Sequence, residues 1–168
     1  MSRTFSLSKR EADIAITIAR PEEGRLTVRK LTDYSLHFYA AKSYLAEHGA
    51  PRTAGELERH CLITYVQDLV FADQLHFMPE LYGPNYSRLE CSGAVGQLET
   101  VRGGAGIGIL HDYAAHSDPR LQIVLPDTGF RRSYWIITHV DMRQLTRVRA
   151  VSDFIFAEVG AQRSIFLL

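Results

Sequence analysis

Residues 95–110 read VGQLETVRGGAGIGIL, in which a helical segment, a glycine-rich turn and a strand follow one another. The pattern predicts a helix over residues 95–102 and a strand over residues 107–110. A phosphate-binding loop has the opposite order, from strand to helix, because the free amides at the start of the helix face the anion. The glycines are therefore predicted to end the helix in a left-handed conformation and to let the next strand pack closely, without binding a nucleotide.

Outward from this stretch, strand and helix patterns alternate through most of the chain. Short apolar runs predict strands, and segments with helical spacing or capping residues predict helices. The predicted strands cover residues 13–19, 26–31, 36–40, 62–66, 89–92, 107–110, 121–125 and 133–139, and the predicted helices cover residues 42–48, 53–60, 71–81, 95–102, 112–116 and 144–159. This alternation predicts an α/β architecture with mainly parallel strand pairing.

Two further patterns concern the ends and faces of these elements. Thr53 and Glu56 have the spacing of a capping box, in which each side chain accepts a hydrogen bond from an amide near the helix start. The strand at residues 26–31 is expected to be short and to lie at a sheet edge. The last helix is predicted to bury one apolar stripe, formed by Val148, Val151, Ile155 and Val159 with Phe154 beside it.

The charge balance limits the classes of partner. The chain has 168 residues, of which 46% are hydrophobic, and its 19 basic and 19 acidic side chains leave no formal net charge. Affinity for nucleic acid comes from clustered Lys and Arg, so this neutrality argues against a freestanding nucleic-acid-binding protein. Arg143, Arg147 and Arg149 are expected to form the solvated face of one helix, diluted by nearby acidic residues.

No targeting or membrane segment is recognisable in the sequence. The first residues, MSRTFSLSKRE, lack the apolar run of a signal peptide, and no stretch approaches the roughly 18 apolar residues of a membrane span. The sequence therefore predicts a cytoplasmic location and no membrane contact.

No set of catalytic or metal-binding residues stands out either. Cys61 and Cys91 form no CxxC pair, and the HExxH and GxSxG patterns do not occur. His111, Asp112 and His116 would bind a metal only if they converged, and a polar loop at a strand end is the commoner interpretation. The sequence therefore predicts neither catalysis nor a cofactor.

Two predicted strand ends carry residues suited to a ligand pocket. Small-molecule pockets in α/β sheets lie at the carboxyl ends of strands and often have aromatic walls. Tyr65 and Asp68 lie at the end of one predicted strand, while Ser92 and Gly93 lie at the end of another, where a helix begins. Free amides at a helix start can hold a carboxylate, so Ser92 and Gly93 either contact a ligand or only cap the helix. Tyr65 is equally well interpreted as a packing residue.

Several segments, taken in their order, resemble the effector-binding region of LysR-type transcriptional regulators over about residues 7–159. These segments are READIAI at residues 10–16 with Arg20-Pro21, RKL at 29–31, YAAKSYL at 39–45 with His48-Gly49, QL at 97–98 through the glycines at 103–108, and RVRAVSDF at 147–154. The chain departs from the family at His111-Asp112, where the family usually has Leu-Pro. Ser92-Gly93 represents the family's usual Asn or Ser after the strand.

The resemblance implies a fold like a type 2 periplasmic binding protein, with one complete lobe and part of a second. On that template, residues 37–132 form the second lobe, and residues 1–36 and 133–168 form the partial first lobe. An effector would bind in the cleft between such lobes. The candidate effector contacts are then Tyr65, Asp68, Ser92 and Gly93, with Thr17 near the crossing strands as a weaker candidate that is equally well explained by packing.

The resemblance also sets expectations about partners. The family carries a helix-turn-helix and further first-lobe elements before the READIAI strand, so the chain is expected to be a fragment that reaches DNA only through that absent domain. Apolar surfaces of residues 14–18 and 148–159 would need cover, which predicts self-association as a dimer. The expected ligand is a small-molecule effector, for example a carboxylate, bound without catalysis. The alternatives are a solute-binding protein or an enzyme on the same fold.

Overall fold

The computed structural model describes residues 12–21, 23–66 and 86–168, and the predicted helix at 71–81 lies outside them. Contacts divide the chain into two compact units, whose described parts are residues 12–34 with 132–168 (unit 1) and residues 35–66 with 86–131 (unit 2). The strands are β1 (Ile14–Thr17), β2 (Leu26–Ala41), β3 (Cys61–Tyr65), β4 (Ser87–Cys91), β5 (Ile107–His111) and β6 (Leu121–His139). The helices are α1 (Lys42–His48), α2 (Ala94–Arg102), α3 (Asp112–Ala115) and α4 (Thr146–Ala161), with 3-10 helices at Ala54–Arg59 and Arg163–Ile165.

The strands are hydrogen-bonded in the order β1-β6-β2-β5-β3-β4. In unit 2, β3 pairs in parallel with both β4 and β5, whereas β2 runs antiparallel to β5. In unit 1, β1 runs antiparallel to the end of β6. The prediction of mainly parallel pairing was therefore wrong, and the sheet is mixed. Alternating helices and strands indicate that helices cover a sheet, but the direction of β2 and β6 depends on partners distant in sequence.

Two pairs of predicted strands are single long strands in the structure. The segments at 26–31 and 36–40 join in β2, which lies between β6 and β5. The strand at 26–31 was predicted to be short and to lie at a sheet edge, and both of these predictions were wrong. The segments at 121–125 and 133–139 join in β6. Leu125 has φ 51° just before Pro126, so the strand bends there without ending. A strand can pass through proline and glycine at such irregular positions.

The glycine-rich turn between α2 and β5 has the predicted conformation. Gly104 has φ 81°, in the left-handed region, directly after α2. A Cβ atom at Gly106 would overlap the carbonyl oxygen of Cys61, and one at Gly108 would lie 2.8 Å from Val101 Cγ2. The prediction that these glycines stop the helix and allow close packing is confirmed.

The predicted capping box at Thr53 was wrong. No side chain caps the 3-10 helix, and the Glu56 carboxylate instead accepts a hydrogen bond from the Arg52 amide at 2.8 Å. The tighter 3-10 turn changes the distance between the first amides and the side chains that an α-helical capping box would use. In the described part of the chain no helix is long and apolar enough to cross a membrane.

In unit 1, α4 buries Val148 and partly buries Ile155 and Val159 of the predicted stripe, but not Val151. Val148 is buried, but Val151 is 50% and Phe154 64% exposed, and Ser152 lies on the less exposed side instead. Val151 and Ser152 both have helical spacing from Val148, and Val151 was chosen for its hydrophobicity alone. The prediction that Val151 is buried was therefore wrong. On β6, Trp135 pairs with Thr17, and the guanidinium of Arg20 lies 5.4 Å from its ring centroid.

Candidate functional site

Three parallel strands of unit 2 end at the same edge of the sheet. Tyr65, the last residue of β3, pairs with Cys91, the last residue of β4, and the Val66 amide donates to the Cys91 carbonyl at 3.1 Å. The neighbouring strand β5 ends at His111. Carboxyl ends of parallel strands are where ligands bind in α/β folds, because the loops and helix starts that follow them converge there. This edge is therefore the candidate site.

The start of α2 lies at this edge with its amides open. Gly93 is the N-cap residue, with φ −167° and ψ 165°, and no side chain forms a cap hydrogen bond. The first helical hydrogen bond runs from the Gln97 amide to the Gly93 carbonyl at 3.1 Å. Among the described residues, the amides of Ala94, Val95 and Gly96 thus have no side-chain cap, a state that suits an anion. Ser92 is exposed and does not cap the helix.

Tyr65 and His111 are held in neutral forms at the same edge. Burial and the neighbouring Tyr113 phenol raise the pKa of Tyr65 to about 12, so its hydroxyl remains protonated at neutral pH. Burial lowers the pKa of His111 below its ordinary value, although the adjacent Asp112 opposes the shift. The rings of His111 and Tyr113 are 5.2 Å apart. Neutral hydrogen-bonding groups therefore dominate this part of the edge.

A buried carboxylate directly behind the edge is fixed by two residues of β2. Asp112 is 2% exposed and accepts a hydrogen bond from the Tyr39 hydroxyl at 2.8 Å. The Nδ1 atom of His37 lies 2.9 Å from the other Asp112 oxygen. Burial and the hydrogen bond to Asp112 raise the pKa of Tyr39 well above its ordinary value. These contacts supply the hydrogen bonds that a buried carboxylate needs.

The structure brings together three of the residues proposed from sequence. Tyr65, Ser92 and Gly93 lie at the ends of adjacent strands, whereas Asp68 lies outside the described residues. Thr17 belongs to unit 1, and its hydroxyl donates to the Ala19 carbonyl at 2.7 Å.

The possible metal set at the end of β5 does not assemble. Asp112 is engaged with His37 and Tyr39, and His116 is exposed. Within residues 12–21, 23–66 and 86–168, no three His, Cys, Asp or Glu side chains are placed to hold a metal ion.

Sequence reasoning missed His37 and Tyr39, although a signal for them was present. Both are polar side chains within the apolar segment LHFYA of a predicted strand, and buried polar groups require partners. A strand register was needed to connect them with Asp112: Tyr39 pairs with Gly108 and His37 with Leu110.

Comparisons with known proteins agree on one family. The model of the LysR substrate binding domain matches residues 5–160. The chain is similar to the regulatory domain of CrgA, a LysR-type transcriptional regulator from Neisseria meningitidis, at 22% identity and a TM-score of 0.77, covering 90% of this chain and 78% of that one. It is similar to full-length AphB, a virulence activator of Vibrio cholerae, at 20% identity and a TM-score of 0.72, covering 93% and 55%. A comparison with curated proteins returned no match.

A third similarity is to the CcmR regulatory domain of Synechocystis PCC6803, at 18% identity and a TM-score of 0.68, covering 90% of this chain and 75% of that one. The mixed sheet thus matches LysR substrate-binding domains, which have the type 2 periplasmic-binding-protein-like fold. The chain spans about half the length of full-length AphB. Because the family model matches nearly all of its residues, the chain belongs to the LysR substrate binding domain family.

Proposed function

We propose that the chain is the effector-sensing part of a LysR-type transcription regulator and that the carboxyl edge of β3, β4 and β5 binds a small carboxylate. The observation that carries this assignment is the start of α2. Its first amides have no side-chain cap, and the helix begins shortly after Cys91, the strand residue that pairs with Tyr65. A ligand carboxylate would complete the hydrogen bonding of those amides.

The chemistry of the edge favours an anion with hydrogen-bond acceptors. The helix dipole stabilises a negative charge at an exposed helix start by about 0.3–1 kcal/mol, and the amides add direct hydrogen bonds. The protonated Tyr65 phenol and the exposed Ser92 hydroxyl would donate to a ligand oxygen. Asp112 would not compete for the same amides, because its carboxylate is buried and engaged with His37 and Tyr39.

Ligand binding at this edge would act on transcription through a change of conformational population. An effector shifts an equilibrium only by its different affinity for two states, and attached DNA-binding domains would respond to that shift. The CcmR regulatory domain was solved in complex with 2-PG, which supports a small-molecule effector here. We further propose that the chain binds without catalysis, associates with a second copy, and acts in the cytoplasm, where a regulator reaches DNA.

The assignment can be tested with two isosteric probes. Acetate carries the carboxylate that the site is proposed to bind, and acetamide has the same size without the charge. Acetate titrated into the 15N-labelled chain should shift the amide resonances of Ala94, Val95 and Gly96, and acetamide should leave them unchanged. Equal shifts from both probes, or acetate shifts confined to other parts of the chain, would contradict the assignment.

A further inference from the structure

Unit 1 contains a separate cavity that the proposed effector site does not use. Its volume is about 380 Å³, and it lies between α4, the turn before α4, and the strands β2 and β6. Cavities of roughly 300–1,000 Å³ are typical of small-molecule sites. Every residue that lines it belongs to unit 1, so the cavity can be considered without reference to unit 2.

The cavity is lined by three guanidinium groups and one carboxylate. Arg149 lies 3.7 Å from Asp153, so one positive charge has an opposite partner. The guanidinium of Arg29 lies over the Phe156 ring, 3.8 Å from its centroid, and Arg143 borders the same space. Within the described residues neither Arg29 nor Arg143 is paired with a carboxylate. The lining therefore carries a positive excess, and guanidinium groups bind carboxylates through paired hydrogen bonds.

A buried hydroxyl supplies an independent indication of a ligand. The Oγ atom of Ser152 is buried and has no hydrogen-bond partner in the described structure, and Ser152 lines the cavity. Leaving a buried donor without an acceptor costs free energy, so buried hydroxyl groups are nearly always hydrogen-bonded. An oxygen of a bound anion would provide that acceptor.

The remaining walls are apolar and set the shape of the ligand. Ile136 and Val148 are each 3% exposed, and the Phe156 ring closes the side under Arg29. Inorganic phosphate would leave these apolar surfaces wet, whereas an aliphatic or aromatic body would cover them.

We propose that this cavity binds a small organic carboxylate with an apolar body. The carboxylate interacts with Arg143, Arg149 and the Ser152 hydroxyl, and the body packs against Val148 and Phe156. The site is distinct from the edge of unit 2, so the chain has two places at which small anions bind.

The experiment uses hexanoate, which combines a carboxylate with an apolar chain. Titration is followed through the side-chain Nε–Hε resonances of Arg29, Arg143 and Arg149 and through the Ser152 amide. We expect saturable shifts with hexanoate. 1-Hexanol lacks the charge-assisted hydrogen bonds, and phosphate lacks the apolar chain that would cover Val148 and Phe156. Each should therefore bind at least about tenfold more weakly than hexanoate.

Variants in α4 and in the turn before it distinguish binding in the cavity from a nonspecific effect of the protein's charge. Arg143→Gln should weaken hexanoate binding about tenfold, and Ser152→Ala should weaken it several-fold while leaving the fold intact. Arg147→Gln is the matched control, because it removes the same charge from a residue that pairs with Asp13 and does not line the cavity.

Two outcomes would overturn the proposal. One is that Arg147→Gln weakens binding as much as Arg143→Gln, and the other is that 1-hexanol binds as tightly as hexanoate. Circular dichroism of each variant confirms that it is folded. A Gly93→Asp variant, which alters only the edge of unit 2, should leave hexanoate binding in the cavity unchanged, so this test and that of the proposed function can fail separately.

Discussion

The Nδ1 atom of His37 lies 2.9 Å from an Asp112 oxygen, and this pair joins β2 to the residue that follows β5. The side chain of Asp112 is 1% exposed and that of His37 is 16% exposed. A carboxylate without water must be hydrogen-bonded by protein groups, and Tyr39 completes the set from the same strand. The Asp112 carboxylate therefore stabilises unit 2 only while His37 and Tyr39 are present to bond with it.

Asp112→Ala should destabilise unit 2 strongly. Removing the carboxylate leaves the His37 ring and the Tyr39 hydroxyl without their acceptor, which costs about 3 kcal/mol for a buried pair. Urea unfolding followed by circular dichroism measures the loss. Asp127→Ala is the control, because Asp127 is exposed and its removal should change stability by less than about 0.5 kcal/mol. Equal midpoints for the two variants would contradict a structural role for Asp112.

Gly129→Ala should be destabilising because of the position of His37. A Cβ atom at residue 129 would lie 2.5 Å from His37 Nε2, and overpacking of this kind costs about 1–3 kcal/mol. The cost should become smaller in a His37→Ala background, where the new methyl group has room. If Gly129→Ala costs the same in both backgrounds, the contact with His37 is not its cause.

Gly106→Ala should also be destabilising, by about 3 kcal/mol, because the added carbon would overlap backbone that cannot rotate away. The obstructing atom is the carbonyl oxygen of Cys61 on β3. Gly55→Ala provides the comparison, since a Cβ atom at Gly55 has nothing within 4 Å. Similar thermal midpoints for the two alanine variants would show that β5 does not pack as closely as described.

Gly93→Asp should have opposite effects on stability and on acetate binding. The backbone at Gly93 is extended and a Cβ atom there meets nothing within 4 Å, so an aspartate fits. Its carboxylate would cap α2 and stabilise it by a few tenths of a kcal/mol, while occupying the amides that acetate needs. Gly93→Asn caps without the charge and is the matched variant. Unchanged acetate shifts in Gly93→Asp would contradict the proposed site.

The stability of the protein should fall at mildly acidic pH. The pKa of His111 is lowered by burial, so between that lowered value and about 6.5 the unfolded chain binds more protons than the folded one. The free energy of unfolding should therefore decrease as pH falls below about 6.5 and become level below the folded pKa. His60 contributes with the same sign, because burial also lowers its pKa.

Urea unfolding of the wild type and of His111→Gln at about pH 7.5 and pH 5.5 measures this dependence. The variant should lose less stability over the interval. The exposed His116→Gln variant should behave like the wild type. A wild type that becomes more stable on acidification would contradict the expected sign.

Local patterns predicted the elements best where a few neighbouring residues determine the backbone. The helix at Lys42–His48 lies between a strand and a Gly-Ala-Pro segment, and it was predicted with its observed ends. The turn after α2 followed from its glycines. Strand direction and the joining of strands in β2 and β6 could not be predicted, because they depend on pairing with residues far away in the chain.

The candidate site was predictable to a similar extent. Tyr65 and Ser92-Gly93 follow apolar segments, and parallel pairing then places them at one edge. The open amides of α2 could not be distinguished from capped ones, because Ser92 is a good capping residue in sequence and only the backbone shows that Gly93 takes the N-cap position. His37 and Tyr39 required the register of β2 and β5.

Trp135 allows the unfolding of unit 1 to be followed separately by spectroscopy. The sequence contains one tryptophan, and it lies on the unit 1 part of β6, next to the Arg20 guanidinium. Tryptophan fluorescence therefore reports the unfolding of unit 1, while circular dichroism reports the helices and strands of both units. The substitutions at Asp112, Gly129 and Gly106 all lie in unit 2, so their dichroism signal can be compared with a fluorescence signal from a unit left unaltered.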